Sequence, residues 1–378
     1  MELKKFHSGT IPDSRLLQGI LGLRGIAAFA IVLFHFCHIA GIPTPPELFF
    51  IKSHFGVGVI MFFVLSAFSL MYSTEHTMHR PNWVREYLTK RFFRIAPLYY
   101  FMLACMVVLL VRYALKTDAE LPSISVVLLN VFFVFGFFQN PEVGLVMAGW
   151  SVGVEMIFYV LFPVLLMTIT TARAALLFFL MAALISYVSK VELHALYLQT
   201  SPLPKWDAST FAFLPNLIFF AAGIYAYRLG QSWKLGGKTL HVLTPWVALF
   251  AIIVLPQFSP WPFGGFIQAI GFCALCIWQS TRPSLLFANR FMEYLGERSF
   301  SIYLLHPLVI VLTQKYIVGL YAMLEPALGT YAFIVCALLV VLVVLALAEI
   351  TYRTIEVPGI KYGRKVIETM RGTAAQAR

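Results

Sequence analysis

Charged side chains are scarce in this sequence. Only 12% of its 378 residues are Asp, Glu, Lys or Arg, whereas a typical soluble domain carries about 25%. Hydrophobic residues make up 60% of the chain and stand in long runs separated by short polar loops. This pattern excludes the soluble and the disordered classes and predicts an all-α fold, a polytopic bundle of transmembrane helices.

Cysteine is also rare, and all 5 Cys residues fall inside apolar runs. Cys273 and Cys276 form a CxxC pair, but no second pair and no nearby histidine accompany it, so the pattern favours packing over a metal or redox site. We therefore expect no metal and no permanently bound cofactor. The net charge of +11 comes from Lys and Arg gathered in a few short loops. That distribution is typical of a protein surrounded by membrane lipid and predicts no nucleic-acid partner.

The basic loops predict the topology. By the positive-inside rule, four loops are cytoplasmic: 80–94, 228–238, 282–290 and 353–365. The chain has about eleven apolar runs, and strict alternation of sides fails unless one of them does not cross. The run 123–140 is the predicted exception, a re-entrant or tilted segment that enters and leaves at the outer face. The result is a single membrane domain over 1–378 with about ten spans. Both termini, 1–16 and 354–378, are expected in the cytoplasm.

The first apolar run contains two ionisable residues, Arg24 and His35, which are 11 positions apart. At about 100° and about 1.5 Å per residue they fall on nearly the same helical face, about 16 Å apart along the axis. Ionisable groups inside a membrane usually face a cavity or the bundle interior, so the pair predicts a functional site. The alternative is a snorkelling arginine and a histidine that bonds a neighbouring helix.

Three further ionisable residues are candidates for the same site. The topology places Glu155 at a depth similar to that of His35, where its carboxylate could fix the imidazole tautomer. The alternative is that Glu155 caps a helix or pairs with an arginine. Arg91 and Arg94 share one helical face at the cytoplasmic edge, and two guanidiniums suit a polyphosphate. The alternative is that both only orient the following span.

Six motifs occur in a fixed order over about residues 17–360: LRGIAAFAIVLFHF, FFVLSAF, KRFFRIAPLYY, WSVGVEMIFY, LGERSFSIYLLHP and YRTIEVP. Together they resemble the acyltransferase-3 family of membrane O-acyltransferases. The resemblance implies an enzyme that takes an acyl group, commonly acetyl, from cytoplasmic acyl-CoA and gives it to a hydroxyl, usually on a sugar. It also implies a bacterial inner (plasma) membrane location.

The resemblance implies roles for the candidate residues. Arg24, Arg91 and Arg94 would handle the CoA donor, and His35 would be the catalytic base, with Glu155 in the same constellation. Five further site candidates lie in the motifs: Ser66, Trp150, Ser151, Tyr303 and His306.

Two of these candidates have competing interpretations. His306 precedes Pro307, which can kink a helix and free a carbonyl, so a structural hydrogen bond is favoured over catalysis. Ser66 has no base beside it in sequence, which favours direct transfer over an acyl-serine intermediate.

The chain departs from the family pattern at a few positions. Ala67 stands where the motif has glycine, Ile60 and Met61 replace a polar or aromatic pair, and Phe300 replaces a tyrosine. These changes leave every proposed catalytic group in place, but they leave the shape of the site and the identity of the acceptor open. No appended esterase-like domain is expected, so transfer would finish within the membrane domain or with a separate glycan-assembly protein.

The acceptor and one rival function stay open. The acceptor classes are lipopolysaccharide O-antigen, exopolysaccharide, a lipid-linked glycan and a macrolide-type small molecule. The rival function is a secondary transporter or flippase with a proton-coupled Arg/His/Glu pathway. No two-fold internal repeat is visible, and the site residues are concentrated in the first half of the chain, which favours the enzyme.

Overall fold

The protein is built from helices. The computed structural model describes residues 13–137, 144–200, 210–232, 238–281 and 284–376, and no strand occurs in these ranges. Seven of the described helical segments are long and apolar enough to cross a membrane: Gln18–Ile39, Pro46–Thr77, Trp83–Thr117, Trp150–Thr168, Ala172–Leu196, Ser299–Leu328 and Thr330–Gly372. The predicted all-α fold with several apolar spans is confirmed at that level, and the count of about ten spans stays a prediction.

The helices follow the apolar runs, because a chain in lipid must satisfy its backbone hydrogen bonds internally. In chain order they are α1 Asp13–Ile39, α2 Phe49–His54, α3 Gly58–Thr74, α4 Trp83–Thr117, α5 Ile124–Val131, α6 Trp150–Thr168, α7 Ala172–Thr200, α8 Phe213–Ser232, α9 Lys238–Ile253, α10 Leu255–Phe258, α11 Gly264–Thr281, α12 Arg290–Glu297, α13 Ser299–Leu328, α14 Thr330–Thr351 and α15 Val357–Gln376. A π-helical turn, Tyr352–Glu356, joins the last two.

The central helices meet around stacked aromatic rings. Phe220 on α8 lies between Phe158 on α6 and Phe63 on α3, with ring centroids 4.1 and 4.8 Å away. The outer helices are apolar on their exposed faces, as Leu177 (68% exposed) and Leu184 (64%) on α7 illustrate. An apolar exterior of this kind is expected where lipid rather than water surrounds the bundle.

The departure at Ala67 is explained by the helix that faces it. Ala67 is fully buried on α3, and Gly223 of α8 packs against it. A Cβ added at Gly223 would lie 2.2 Å from the Val64 carbonyl oxygen and 2.8 Å from the Ala67 Cβ. Small residues allow helix backbones to approach closely in membranes. The alanine methyl therefore fits because the opposing position is glycine.

The run 123–140 does not form a spanning helix in the part that is described. Helix α5 has 8 residues and a length of about 12 Å. Its Asn130 accepts a hydrogen bond of 2.9 Å from the Tyr99 hydroxyl, and Tyr99 lies about 27 Å from the Thr117 end of α4. Helix α5 therefore returns to the middle of the bundle, as a re-entrant segment does. Residues 138–140 lie outside the described part.

Helix α6 starts from this same middle level. A Cβ on Gly149, the residue before α6, would lie 3.4 Å from the Tyr99 ring. Helix α6 then runs about 28 Å to Ile169, whose carbonyl accepts a 2.9 Å bond from Arg228 Nε. Arg228 also pairs with Glu75, which follows α3. These contacts join helix ends that the charge distribution assigns to the cytoplasmic side.

This geometry predicts the outcome of cysteine labelling in intact cells. Glu120→Cys and Met147→Cys should both react with a small membrane-impermeant thiol reagent, because both flank the segment that is predicted not to cross. Met147 is partly exposed at the mid-depth start of α6, and the reagent should reach it through the outer half of the bundle. His79→Cys, in the basic loop between α3 and α4, should react only after the membrane is opened. Peptide mass spectrometry measures each modification. Labelling of Met147→Cys only in opened cells would mean that 123–140 spans the membrane.

Candidate functional site

Arg24 and His35 lie on the same helix and both keep partly exposed side chains inside the bundle. The Arg24 guanidinium lies 5.6 Å from the centroid of the Phe62 ring on α3. It also interacts electrostatically with Arg91 and Arg94 of α4. The structure thus brings together the three arginines that were predicted to handle the donor.

In the described part of the chain, no carboxylate counter-ion directly contacts the three arginines. Among the described residues, none of Arg24, Arg91 and Arg94 forms an ion pair of 4.0 Å or less. The buried Nε of Arg91 has no hydrogen-bond partner there. Such donors are costly to bury, and an anion that accepted from them would remove the cost.

A cleft continues from these arginines to the surface between α4 and α15. It has a volume of about 360 Å3, and its lining includes Lys90, Arg91, Phe93, Arg94 and Arg364. None of the described residues that line it is acidic. Four cations and one aromatic ring match a ligand that carries several phosphates and a flat base. The sequence analysis used the region of Arg364 only to assign the C-terminal segment to the cytoplasm, because nothing in the sequence indicated that α15 packs on α4.

Glu155 does not contact His35, contrary to the predicted pairing. Its Oε1 accepts a 2.5 Å hydrogen bond from the Ser66 hydroxyl and a second bond from Tyr159. It interacts electrostatically with Arg24. The difference arises because α6 begins in the middle of the bundle. Glu155 therefore lies about 8 Å below Trp150, toward the cytoplasmic end.

Ser66 consequently has a carboxylate beside it in space, although none adjoins it in sequence. Tyr159 was missed as a site residue. It follows Glu155 by four positions, and that spacing on a helix places two side chains on one face. The motif WSVGVEMIFY therefore contained the signal.

His306 is the group that contacts His35. The two rings approach with His306 Nε2 and His35 Nδ1 3.0 Å apart. His306 is fully buried, and its Nδ1 lies 3.2 Å from the Ile302 carbonyl oxygen one turn earlier. The structural hydrogen bond favoured for His306 is therefore present, and a second bond joins it to His35.

These contacts define the tautomer of His35. The Ile302 carbonyl can only accept, so Nδ1 of His306 carries the hydrogen and Nε2 of neutral His306 is an acceptor. Nδ1 of His35 must then be the donor. The Ile31 carbonyl, 3.2 Å from the same Nδ1, requires the same assignment. Nε2 of neutral His35 is thereby left without a proton and is able to accept one.

The remaining candidates hold the start of α6. Tyr303 of α13 donates to the Ala148 carbonyl at 2.9 Å, and Ser151 donates to the Tyr303 oxygen at 2.8 Å. Trp150 lines a cavity that also includes His35. The bonds at Ala148 and Ser151 therefore fix the backbone on both sides of Trp150, which lines the same cavity as His35.

A second carboxylate was also missed. Glu356 is fully buried, and one of its oxygens accepts from Ser301, while the other has no partner in the described structure. It interacts electrostatically with Arg94 and Arg24. The motif YRTIEVP contained the residue, but its position depends on the π-helical turn.

Comparison with known proteins adds independent findings. The family model described as an acyltransferase domain matches residues 17–349. The O-acetyltransferases OatA of Staphylococcus aureus strains NCTC 8325 / PS 47, COL and MRSA252 are each 24% identical over 378 residues, covering 93% of this chain. The chain spans 58% of the length of these curated relatives. No solved structure matches it.

Proposed function

This chain belongs to the acyltransferase-3 family, and we propose that it transfers an acyl group from cytoplasmic acyl-CoA to a carbohydrate hydroxyl at a bacterial inner membrane. The acyl group is acetyl, because the curated relatives are O-acetyltransferases. The acceptor is a hydroxyl of a cell-surface or lipid-linked glycan. Integral membrane placement rests on the apolar helices and the family.

One observation carries this proposal. Three arginines without a carboxylate in direct contact, as far as the described residues go, lie around one end of the Arg24–His35 face. His35, whose contacts leave Nε2 without a proton, lies about 16 Å farther along that face. An anionic donor at the arginines and a hydroxyl at the imidazole are what acyl transfer from CoA requires.

The donor fits the cationic cleft. The CoA phosphates would accept from Arg91 and Arg94, and the adenine would lie against Phe93, which lines the same cleft. The thin pantetheine arm would pass Arg24 and bring the thioester to His35. Glu155, held by Ser66 and Tyr159, would keep the Arg24 side chain in place by electrostatic attraction.

The reaction is a direct transfer with balanced steps. The acceptor oxygen attacks the thioester carbonyl carbon while His35 Nε2 takes the hydroxyl proton. The tetrahedral intermediate collapses with cleavage of the carbon–sulfur bond, and the CoA sulfur leaves with the proton that His35 received. The ester and free CoA are the products, and His35 returns to its neutral form.

The donor residues are testable by their effect on KM. Arg91→Ala and Arg94→Ala should each raise the KM for acetyl-CoA about 10- to 100-fold, the loss expected for a charge-assisted hydrogen bond. The KM for the acceptor should change little. A Lys replacement should recover only part of the loss, because an ammonium cannot bind a phosphate bidentately. The measurement is CoA release by purified protein.

Arg112→Ala is the matched control, since Arg112 lies exposed on the same helix far from the cleft. An unchanged KM for acetyl-CoA in both Ala variants would mean that Arg91 and Arg94 do not bind the donor and only orient the following span. The wild-type protein tests the function itself, because an acyltransferase releases CoA in proportion to ester formed. A transporter or flippase would release none with any hydroxyl acceptor.

A further inference from the structure

A second cavity opens on the side of His35 that faces away from the arginines. Its volume is about 570 Å3, within the range of about 300–1,000 Å3 that is typical of small-molecule sites. Among the described residues, its lining includes His35, Trp150, Asn216, Trp261, Gln268 and one cation, Lys190, and no acidic residue. None of the donor arginines Arg24, Arg91 and Arg94 lines this cavity.

Two carboxamides in the wall have their amino groups engaged by the backbone. Asn216 Nδ2 donates to the carbonyls of Thr210 and Ala212 at 2.7 and 2.9 Å, which uses both of its hydrogens. Gln268 Nε2 donates to the Ile252 carbonyl at 3.3 Å. The amide group of Asn216 therefore has only its oxygen left to offer, and the orientation of Gln268 likewise leaves its oxygen available. Both residues favour a ligand that donates hydrogen bonds.

Aromatic rings form a second part of the wall. Trp150 is held edge-on by Phe211, with ring centroids 5.0 Å apart, and Trp261 keeps 51% of its surface exposed. Indole rings combine a large apolar face with low conformational freedom. A pyranose has a matching form, because its hydroxyls donate at the rim while its C–H groups make an apolar face.

We propose that this cavity is the acceptor site and that it binds a pyranose unit of a glycan, an inference that rests on the proposed function. Sugar hydroxyls donate to the amide oxygens of Asn216 and Gln268, and the C–H face packs against Trp150 or Trp261. The hydroxyl to be acylated then lies at His35 Nε2. An aliphatic alcohol would leave both amide oxygens unpaired, at a cost to its binding.

Kinetics of the full chain in lipid nanodiscs test the proposal. The probes are a panel of methyl pyranosides, with 1-hexanol and a macrolide as comparison acceptors, and CoA release from acetyl-CoA is measured. At least one pyranoside should be the best acceptor. Asn216→Leu and Gln268→Leu should each raise its KM about 10-fold, with the acetyl-CoA KM unchanged.

Gln257→Leu is the matched control. Gln257 also donates to a backbone carbonyl, that of Ile253 at 3.5 Å, but it is exposed and does not line the cavity. Its acceptor KM should equal that of the wild type. Equal or better use of 1-hexanol or the macrolide would overturn the proposal, as would unchanged pyranoside KM in both Leu variants.

A binding readout separates this inference from the proposed function. Ser259 lines the cavity, and the pyranosides should slow maleimide labelling of Ser259→Cys, measured by peptide mass spectrometry. Protection without any CoA release would retain the carbohydrate site and overturn the transfer reaction. Transfer to a pyranoside that gives no protection would retain the reaction and place its acceptor elsewhere.

Discussion

His35→Ala is expected to lose about 10²–10⁴-fold in kcat for acetyl transfer, the contribution typical of a positioned general base. A hydroxyl is a poor nucleophile until its proton is accepted in the transition state. Binding of acetyl-CoA should be unchanged, because the CoA phosphates bind at the arginines about 16 Å away. His35→Gln should not recover turnover, because a carboxamide is too weak a base to accept the proton of the acceptor hydroxyl in the transition state. The measurement is CoA release alongside equilibrium binding of acetyl-CoA.

His38→Ala is the matched control for this prediction. His38 lies on the same helix, is exposed and also places its Nδ1 beside the carbonyl of the residue four positions earlier, Phe34, at 2.8 Å. It has no second histidine at that nitrogen in the described structure. Near-normal turnover of His35→Ala would place the base elsewhere. Acetyl found on Ser66 by mass spectrometry would replace direct transfer with an acyl-enzyme route.

Much of the fold is predictable from composition, because lipid permits few alternatives to an apolar helix. The runs 262–280 and 327–350 correspond closely to α11 and α14. Loop charges predict that the run 123–140 does not cross, and the short helix α5 within it is consistent with that prediction. The depth to which α5 returns was not predictable, because it depends on the hydrogen bond between Asn130 and Tyr99, and such contacts leave no periodic pattern in the sequence.

The proximity of some candidate site residues was predictable from the sequence, but their pairing was not. Helical spacing placed Arg24 and His35 on one face, and that is a local property. The partner of His35 is 271 positions away, so no spacing rule identifies it. The predicted depth of Glu155 was wrong because the sequence suggested that α6 starts at the outer surface. Helix α6 starts instead at mid-depth, which places Glu155 beside Ser66. His35 is then contacted by His306 and not by Glu155.

His306 is expected to position the His35 ring through the bond between His306 Nε2 and His35 Nδ1, so removing it should lower kcat. His306→Leu removes the acceptor at His35 Nδ1 and should lower kcat about 10²-fold, with the KM for acetyl-CoA unchanged. The loss should be smaller than the roughly 10⁴-fold effect of a wrong tautomer in the serine-protease triad. The reason is that the Ile31 carbonyl still holds the same N–H.

Two amide replacements separate positioning from packing. In His306→Gln the amide reaches the place of Nε2, so its oxygen can accept from His35 and restore much of kcat. In His306→Asn the shorter side chain reaches only the place of Nδ1, so it can keep the bond to Ile302 but not the bond to His35. Thermal unfolding of both variants controls for stability, since His306 is fully buried. Equal turnover of the Gln and Asn variants would contradict the role of His306, because only the bond to His35 distinguishes them.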